Sequence, residues 1–215
     1  MSRQAAFDIL ERVDQQGAYS HLAVDEVLEE RDLSDADRRL ATRLAYGVLT
    51  WRQALDSVLD DVVDGGIRRL DTPVLQVLRV GAFQLFWLDR IPEHAAVDET
   101  VKLVASIGYG QAKRLVNAVM RSLAARDETP VWWAESERES NPVRFIAQRY
   151  SLPTWLTNRL VQLYGADRAE ALASSLNERP PIFLRSDADD AVAESGFEVE
   201  SVDGVPGCLR IADVE

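Results

Sequence analysis

Between residue 3 and about residue 125, apolar side chains recur at every third or fourth position, and no alternating stretch of strand type interrupts them. The pattern predicts an all-α region. Ala6, Ile9, Leu10 and Val13 make one stripe, which breaks at Gly17, and Ala23, Val24, Val27 and Leu28 make a second. Ser34-Asp35-Ala36-Asp37 has the form of a capping box with Asp in place of Glu. Leu40, Leu44, Val48, Trp51, Leu55, Val58 and Val62 follow it at helical spacing, which predicts one long helix stopped by Gly65-Gly66. Thr72-Pro73 reads as a start signal, with the threonine as cap and the proline in the first turn. Val74, Val77, Leu78, Gly81, Leu85 and Leu88 form the stripe of the helix that follows. Gly81 within that stripe costs about 1 kcal/mol of helix propensity against alanine, which close helix packing would offset. A fifth helix is expected over 95–107, ending at Gly108-Tyr109-Gly110, and a sixth carries Ala112, Leu115, Val116, Val119, Met120 and Leu123. Short loops between such helices make a bundle.

The periodicity lapses after Arg126. Asp127 to Pro130, Trp132-Trp133 and the polar run 135–141 read as a linker with an aromatic anchor. Three short helices are then expected over 142–150, 153–164 and 166–176. Pro180-Pro181 breaks the chain, and strand-like pieces follow at 182–185, 197–202 and 208–211, with a short helix over 188–195. Two or three short strands are marginal alone, so a continuation beyond Glu215 is expected. The predicted class is mainly α: an all-α bundle over 1–128, a linker over 129–141, and a small, incomplete α+β segment over 142–215.

Composition narrows the chemistry. In 215 residues there are 24 Lys and Arg against 36 Asp and Glu, a net charge of −12, which argues against a nonspecific coat on nucleic acid. The imbalance is uneven: 16 basic against 21 acidic residues over 1–128, five against three over 141–179, and two against nine over 180–215. Cys208 is the single cysteine and His21 and His94 are the two histidines, too few for a disulfide framework or a cysteine-rich zinc site. No apolar run approaches the 18 or so residues of a membrane span, and the N-terminus lacks a signal-peptide core, so a cytoplasmic protein is expected.

Asp37-Arg38-Arg39-Leu40-Ala41, Tyr46-Gly47-Val48-Leu49, Leu78 to Leu85, Ile91 to Glu99 and Val116-Asn117-Ala118-Val119-Met120-Arg121 together resemble the NusB-like domain, over nearly all of residues 1–126. That domain occurs as the antitermination factor NusB and as the front of the RsmB (Sun or Fmu) family of ribosomal RNA cytosine-5 methyltransferases. His94-Ala95-Ala96-Val97 and the continuation through 141–185, with Tyr150 to Leu156 and Asn177 to Pro181, are similar to the methyltransferase branch. Leu184-Arg185-Ser186-Asp187 departs from it, because the family usually places an asparagine after the hydrophobic residue. The resemblance implies an RNA-docking domain for structured ribosomal RNA, with S-adenosylmethionine as cofactor of the full-length family. The chain itself offers no catalytic cysteine context and no glycine-rich cofactor turn. Cys208, in Gly207-Cys208-Leu209, matches neither family cysteine, and nothing nearby in sequence would activate it. The chain is therefore expected to bind RNA without methylating it.

The candidate phosphate contacts are Arg38, Arg39 and Arg43 at the head of the third helix and Lys113, Arg114 and Arg121 on the sixth. Arg3 joins them through the family's use of its N-terminal helix. Each has a plainer reading as a solvated surface charge. Arg68-Arg69 is read as a solubilising loop, Gly108-Tyr109-Gly110 as a helix-to-helix turn rather than a phosphate cradle, and His94 as a helix-start residue packing or capping. Two rival readings remain: a stand-alone antitermination-type RNA-binding protein that also holds a ribosomal protein, and a helical domain that binds only proteins.

Overall fold

The computed structural model describes residues 1–126, 135–178, 181–185 and 198–211. Trp132-Trp133, Pro180 and the helix expected over 188–195 lie outside the described residues. The chain divides into two compact units, Met1–Ser174 and Ser175–Glu215. In order, the helices are α1 (Ser2–Gln16), α2 (Ser20–Glu29), α3 (Asp35–Thr50), α4 (Arg52–Val62), α5 (Thr72–Trp87), α6 (Glu93–Ser106), α7 (Lys113–Ala124), α8 (Glu135–Ser140), α9 (Pro142–Arg149), α10 (Thr154–Tyr164) and α11 (Ala166–Leu176). Single 3-10 turns at Ile67–Arg69 and Gly110–Ala112 precede α5 and α7. The mainly α class read from the periodicity holds.

The first unit is built around α5, which packs on α1, α3, α4, α6 and α7. Val74, Val77, Leu78, Val80, Ala82 and Phe83 are all buried along it, and they meet Leu10 of α1, Leu44 and Val48 of α3, Leu55 and Leu59 of α4, Val104 of α6 and Met120 of α7. A helix surrounded in this way must also bury its polar residues, and α5 carries Gln76, Arg79 and Gln84 inside. The Arg79 guanidinium donates a fork of two bonds to Asp56 of α4, at 2.7 and 2.8 Å, and a third to Gln76 Oε1 at 3.1 Å. Gln76 donates on to Asp14 of α1, which also receives Arg52 of α4 at 2.7 Å. Gln84 donates to the Val80 carbonyl within its own helix.

Two glycines set the closest approaches. A Cβ on Gly47 of α3 would lie 2.0 Å from the Phe83 ring of α5. A Cβ on Gly81 would lie 2.6 Å from both Met120 Sδ and Thr100 Oγ1, so α5, α6 and α7 converge at this one residue. That convergence is the compensation anticipated for a glycine in the middle of a helix.

The single long helix expected over 34–62 is instead α3 and α4. Ser34 caps α3 as read, with Asp37 N–H donating to Ser34 Oγ at 3.2 Å. The chain then breaks at Trp51, whose ring lies 5.0 Å from that of Trp87 and whose backbone (φ −97°, ψ 18°) leaves the helical region. The freed Gln53 amide donates to Ser151 Oγ at 3.0 Å, an acceptor 98 residues further along. Ser151 follows α9 in the left-handed region (φ 54°), where a side chain is rarely found outside glycine. Asp71, not Thr72, precedes α5, and Pro73 sits in its first turn. The run 135–140, expected as linker, is the short helix α8.

Phe145, Ile146, Leu152, Ala169 and Ala173 form a separate small core among α9, α10 and α11. The second unit contains a three-stranded antiparallel sheet of β1 (Phe183–Arg185), β2 (Val199–Ser201) and β3 (Cys208–Ile211) in the order β1-β3-β2. Leu184 pairs with Leu209, and Glu200 with Arg210.

Two substitutions test this packing by denaturant unfolding. Arg79→Met is expected to lower stability by about 2–3 kcal/mol. This is less than the loss from breaking a fully buried pair, because the Asp56 side chain keeps 27% of its exposure and can rehydrate. Gly81→Ala is expected to lose about 1–2 kcal/mol, since crowding Thr100 and Met120 outweighs the gain in helix propensity.

Candidate nucleic-acid interface

The seven cations singled out in the sequence fall into two groups. Arg3 and Arg38 are committed to the protein. Arg3 Nε donates to Gln84 Oε1 at 2.6 Å, Nη1 lies 3.8 Å from Glu99 of α6, and its side chain is 19% exposed. Burial lowers the pKa of this guanidinium from its ordinary value, and the carboxylates of Glu99 and Asp37 pull it back up. Arg38 Nη1 donates to the Leu28 carbonyl at 2.7 Å, satisfying the last turn of α2.

Arg39, Arg43, Lys113, Arg114 and Arg121 are exposed, and none of their side chains has a hydrogen bond or ion pair to a described residue. On α3, Arg39, Arg43, Tyr46 and Thr50 follow one another at spacings of four, three and four, and all are exposed. The opposite side of the helix is closed by Ala41, Leu44, Ala45 and Val48. Amphipathicity thus forces two arginines and one aromatic ring into a single solvent-facing row. On α7 the buried residues are Val116, Val119, Met120 and Leu123, which leaves Arg114 and Arg121 two turns apart on the outer side. α3 packs on α1, α2, α4 and α5, whereas α7 packs on α4, α5 and α6, so the two rows belong to helices that share α5 as a neighbour.

Arg121 also lines an open depression of about 370 Å³ with Glu93, His94, Val97, Asp98, Asn117, Ala124 and Ala125, between the first turns of α6 and the last turns of α7. His94 is exposed there and forms no cap bond to α6. Among the described residues, no three His, Cys, Asp or Glu side chains are placed to hold a metal ion. Gly108-Tyr109-Gly110 closes α6, with Tyr109 N–H donating to the Val104 carbonyl at 3.0 Å, and so makes a helix-to-helix turn. The glycine-bearing turn beside the sheet, Asp203 to Gly207, joins β2 to β3 instead of leading from a strand into a helix, so this turn is not of the kind that cradles a nucleotide cofactor.

The distribution of acids along the chain carries a further signal. In a chain with 36 acidic residues, 38–55 contains four arginines and no acid, 100–126 contains five cations and no acid, and 140–166 contains three arginines and no acid. The first two windows hold α3 and α7 with their exposed cations. A fourth acid-free window, 72–88, is the buried α5, so the signal needs burial to be interpreted. Tyr46, three residues after Arg43, is exposed in the same row as the two arginines.

The N-terminus is held by groups that titrate. Ser2 Oγ donates to Asp37, and Ser34 Oγ donates to the same carboxylate at 2.7 Å, which together hold Asp37 below its ordinary pKa. Glu99 is held low chiefly by Lys102 Nζ at 2.7 Å. A depressed carboxylate stabilises the fold above its unfolded-state pKa, and that contribution is lost as pH falls through the folded value. Stability should therefore decline as pH falls below about 4, the ordinary carboxylate range. Ser2→Ala should flatten this decline while changing the slope at neutral pH little, as followed by urea unfolding at a series of pH values.

Three comparisons place this geometry among known proteins. The model of the NusB family matches residues 1–125. Two curated relatives carry the name "Probable ribosomal RNA small subunit methyltransferase B". The one from Synechocystis sp. is 28% identical over 98% of this chain and 48% of its own length, and the one from Bacillus subtilis strain 168 is 32% identical over 97% of this chain and 47% of its own length. The chain thus spans about half the length of the curated relatives it matches. A crystal structure of the antitermination factors NusB and NusE in complex with dsRNA matches 57% of this chain and 92% of its own with a TM-score of 0.53 at 24% identity, a likeness of fold. Since the matched region takes in α1 to α7 and both rows of exposed cations, the chain belongs to the NusB family.

Proposed function

We propose that this chain is the RNA-docking part of a ribosomal RNA methyltransferase, and that it grips the phosphates of a structured RNA element through Arg39 and Arg43 on α3 and Lys113, Arg114 and Arg121 on α7. The observation that carries this reading is the set of five exposed cations whose side chains have no partner among the described residues, in acid-free segments of a chain whose net charge is −12. Surface cations in an acidic protein ordinarily pair with neighbouring acids, as Arg12 does with Glu26 and Glu30. A cation not taken up in an ion pair remains available to phosphate. Arg3 and Arg38 support the grip from inside: Arg3 ties α1 to α5 and α6, and Arg38 ties α3 to the end of α2. Tyr46 adds a ring on which an unpaired base stacks.

The extent of the two relatives supports the methyltransferase branch, because both match through α8–α11 and the small sheet. In this reading the chain positions ribosomal RNA in the cytoplasm for a catalytic domain that uses S-adenosylmethionine, and alone it transfers no methyl group. No described helix is long and apolar enough to cross a membrane. A ribosomal protein as partner belongs to the stand-alone antitermination alternative. Capture of such a protein that survives ribonuclease would favour that alternative.

Affinity for a ribosomal RNA fragment should fall with salt at a log–log slope of roughly −3 to −4, as about four or five phosphate contacts require. Arg39→Glu with Arg43→Glu should weaken binding at least tenfold and flatten the slope by roughly 2, whereas Arg38→Gln should leave the slope unchanged. An affinity independent of salt, or methyl transfer from S-adenosylmethionine by the 215-residue chain, would overturn the proposal.

A further inference from the structure

The third acid-free segment lies outside the NusB match, and its helix α10 has an exposed face that nothing described above uses. Thr157 is fully buried and Leu156, Leu160 and Val161 pack toward the small core, so the helical period turns Trp155, Asn158, Arg159, Gln162 and Leu163 outward. Trp155 is 73% exposed, and Arg159 follows it by one turn on the same face. Arg144 and Arg159 are exposed, and neither side chain has a hydrogen bond or ion pair to a described residue. Arg149 lies over the Phe145 and Tyr150 rings at 5.5 and 5.7 Å, and Arg168 lies over Tyr164 at 5.7 Å. The nearby acids Asp167 and Glu170 are taken up by Arg138, at 3.5 and 2.7 Å.

We propose that this face of α10 is a second RNA-contact surface, where Trp155 stacks on an unpaired base and Arg159 binds the adjoining phosphate. Charge selects the occupant. Arg159 lies on this face and α10 carries no carboxylate, so the face is positively charged and complements a polyanion. The indole supplies a flat apolar platform that any base can cover, and Asn158 and Gln162 beside it supply donors and acceptors for a base edge. The partner class is shared with the function proposed above, but the residues are not, so the two can fail separately.

The test uses the 215-residue chain and a fluorescein-labelled single-stranded RNA of about 12 nucleotides, with binding read by anisotropy at low salt. Trp155→Ala is expected to weaken binding roughly tenfold, as loss of one stacked base does, and Trp155→Phe to restore most of it. Arg159→Gln should weaken binding several-fold and flatten the salt dependence by about one contact. In 5-fluorotryptophan-labelled protein, the 19F resonance assigned to Trp155 by its Phe variant should shift on RNA addition. Unchanged affinity in Trp155→Ala, or a Trp155 resonance unmoved at saturating RNA, would overturn the inference even if Arg39→Glu with Arg43→Glu abolishes binding. A dimer in sedimentation equilibrium that Trp155→Ala dissolves would overturn it in favour of a second copy on this face. Trp155 is exposed, so these variants should fold, and unchanged circular dichroism verifies it.

Discussion

A helix enclosed on all sides must satisfy every polar group it carries, and in this protein α5 meets that constraint by reaching into its neighbours. Arg79 grips Asp56 with two parallel bonds and touches Gln76, which bonds Asp14, while Gln84 accepts from Arg3. These bonds tie α1, α4 and α5 by direction as well as by burial. Apolar packing alone would permit α5 to rotate or slide by a turn, but a forked guanidinium–carboxylate pair fits one register.

The outer surface follows from that register. Once α3 is pressed against α5 at Gly47 and Phe83, its remaining face carries Arg39, Arg43 and Tyr46. Once α5, α6 and α7 converge at Gly81, the outer side of α7 carries Arg114 and Arg121. Arg3, bonded to Gln84, and Arg38, bonded to the Leu28 carbonyl, are tied to the scaffold instead. Seven cations alike in kind are thereby divided into two that hold the scaffold and five that face solvent.

An acidic protein that binds a polyanion needs local exceptions to its overall charge. The net charge opposes indiscriminate binding, while acid-free segments leave local positive potential where the cations stand. In the proposed RNA-docking role, this arrangement would favour an RNA that presents phosphates at the right places over one that offers charge alone. In the α9–α10 segment the same device is combined with exposed aromatic rings, a chemistry suited to unpaired bases.

The sequence by itself determined the helical class, the buried stripes, the cap at Ser34 and the close packing at Gly81, because these depend on the period of the backbone and on the properties of single residues. It also contained the acid-free windows, although these distinguish a binding face from a buried helix such as 72–88 only once exposure is known. The break at Trp51 was not legible, because continuous apolar spacing runs across it and the hydroxyl that serves the next helix belongs to Ser151, nearly a hundred residues away. Nor could sequence separate Arg38 from Arg39. They are neighbours of identical chemistry, and the 100° turn between successive helical residues sends one to the Leu28 carbonyl and the other into solvent. Only the tertiary structure decides such cases, since it alone fixes which way a helix faces and which distant group meets it.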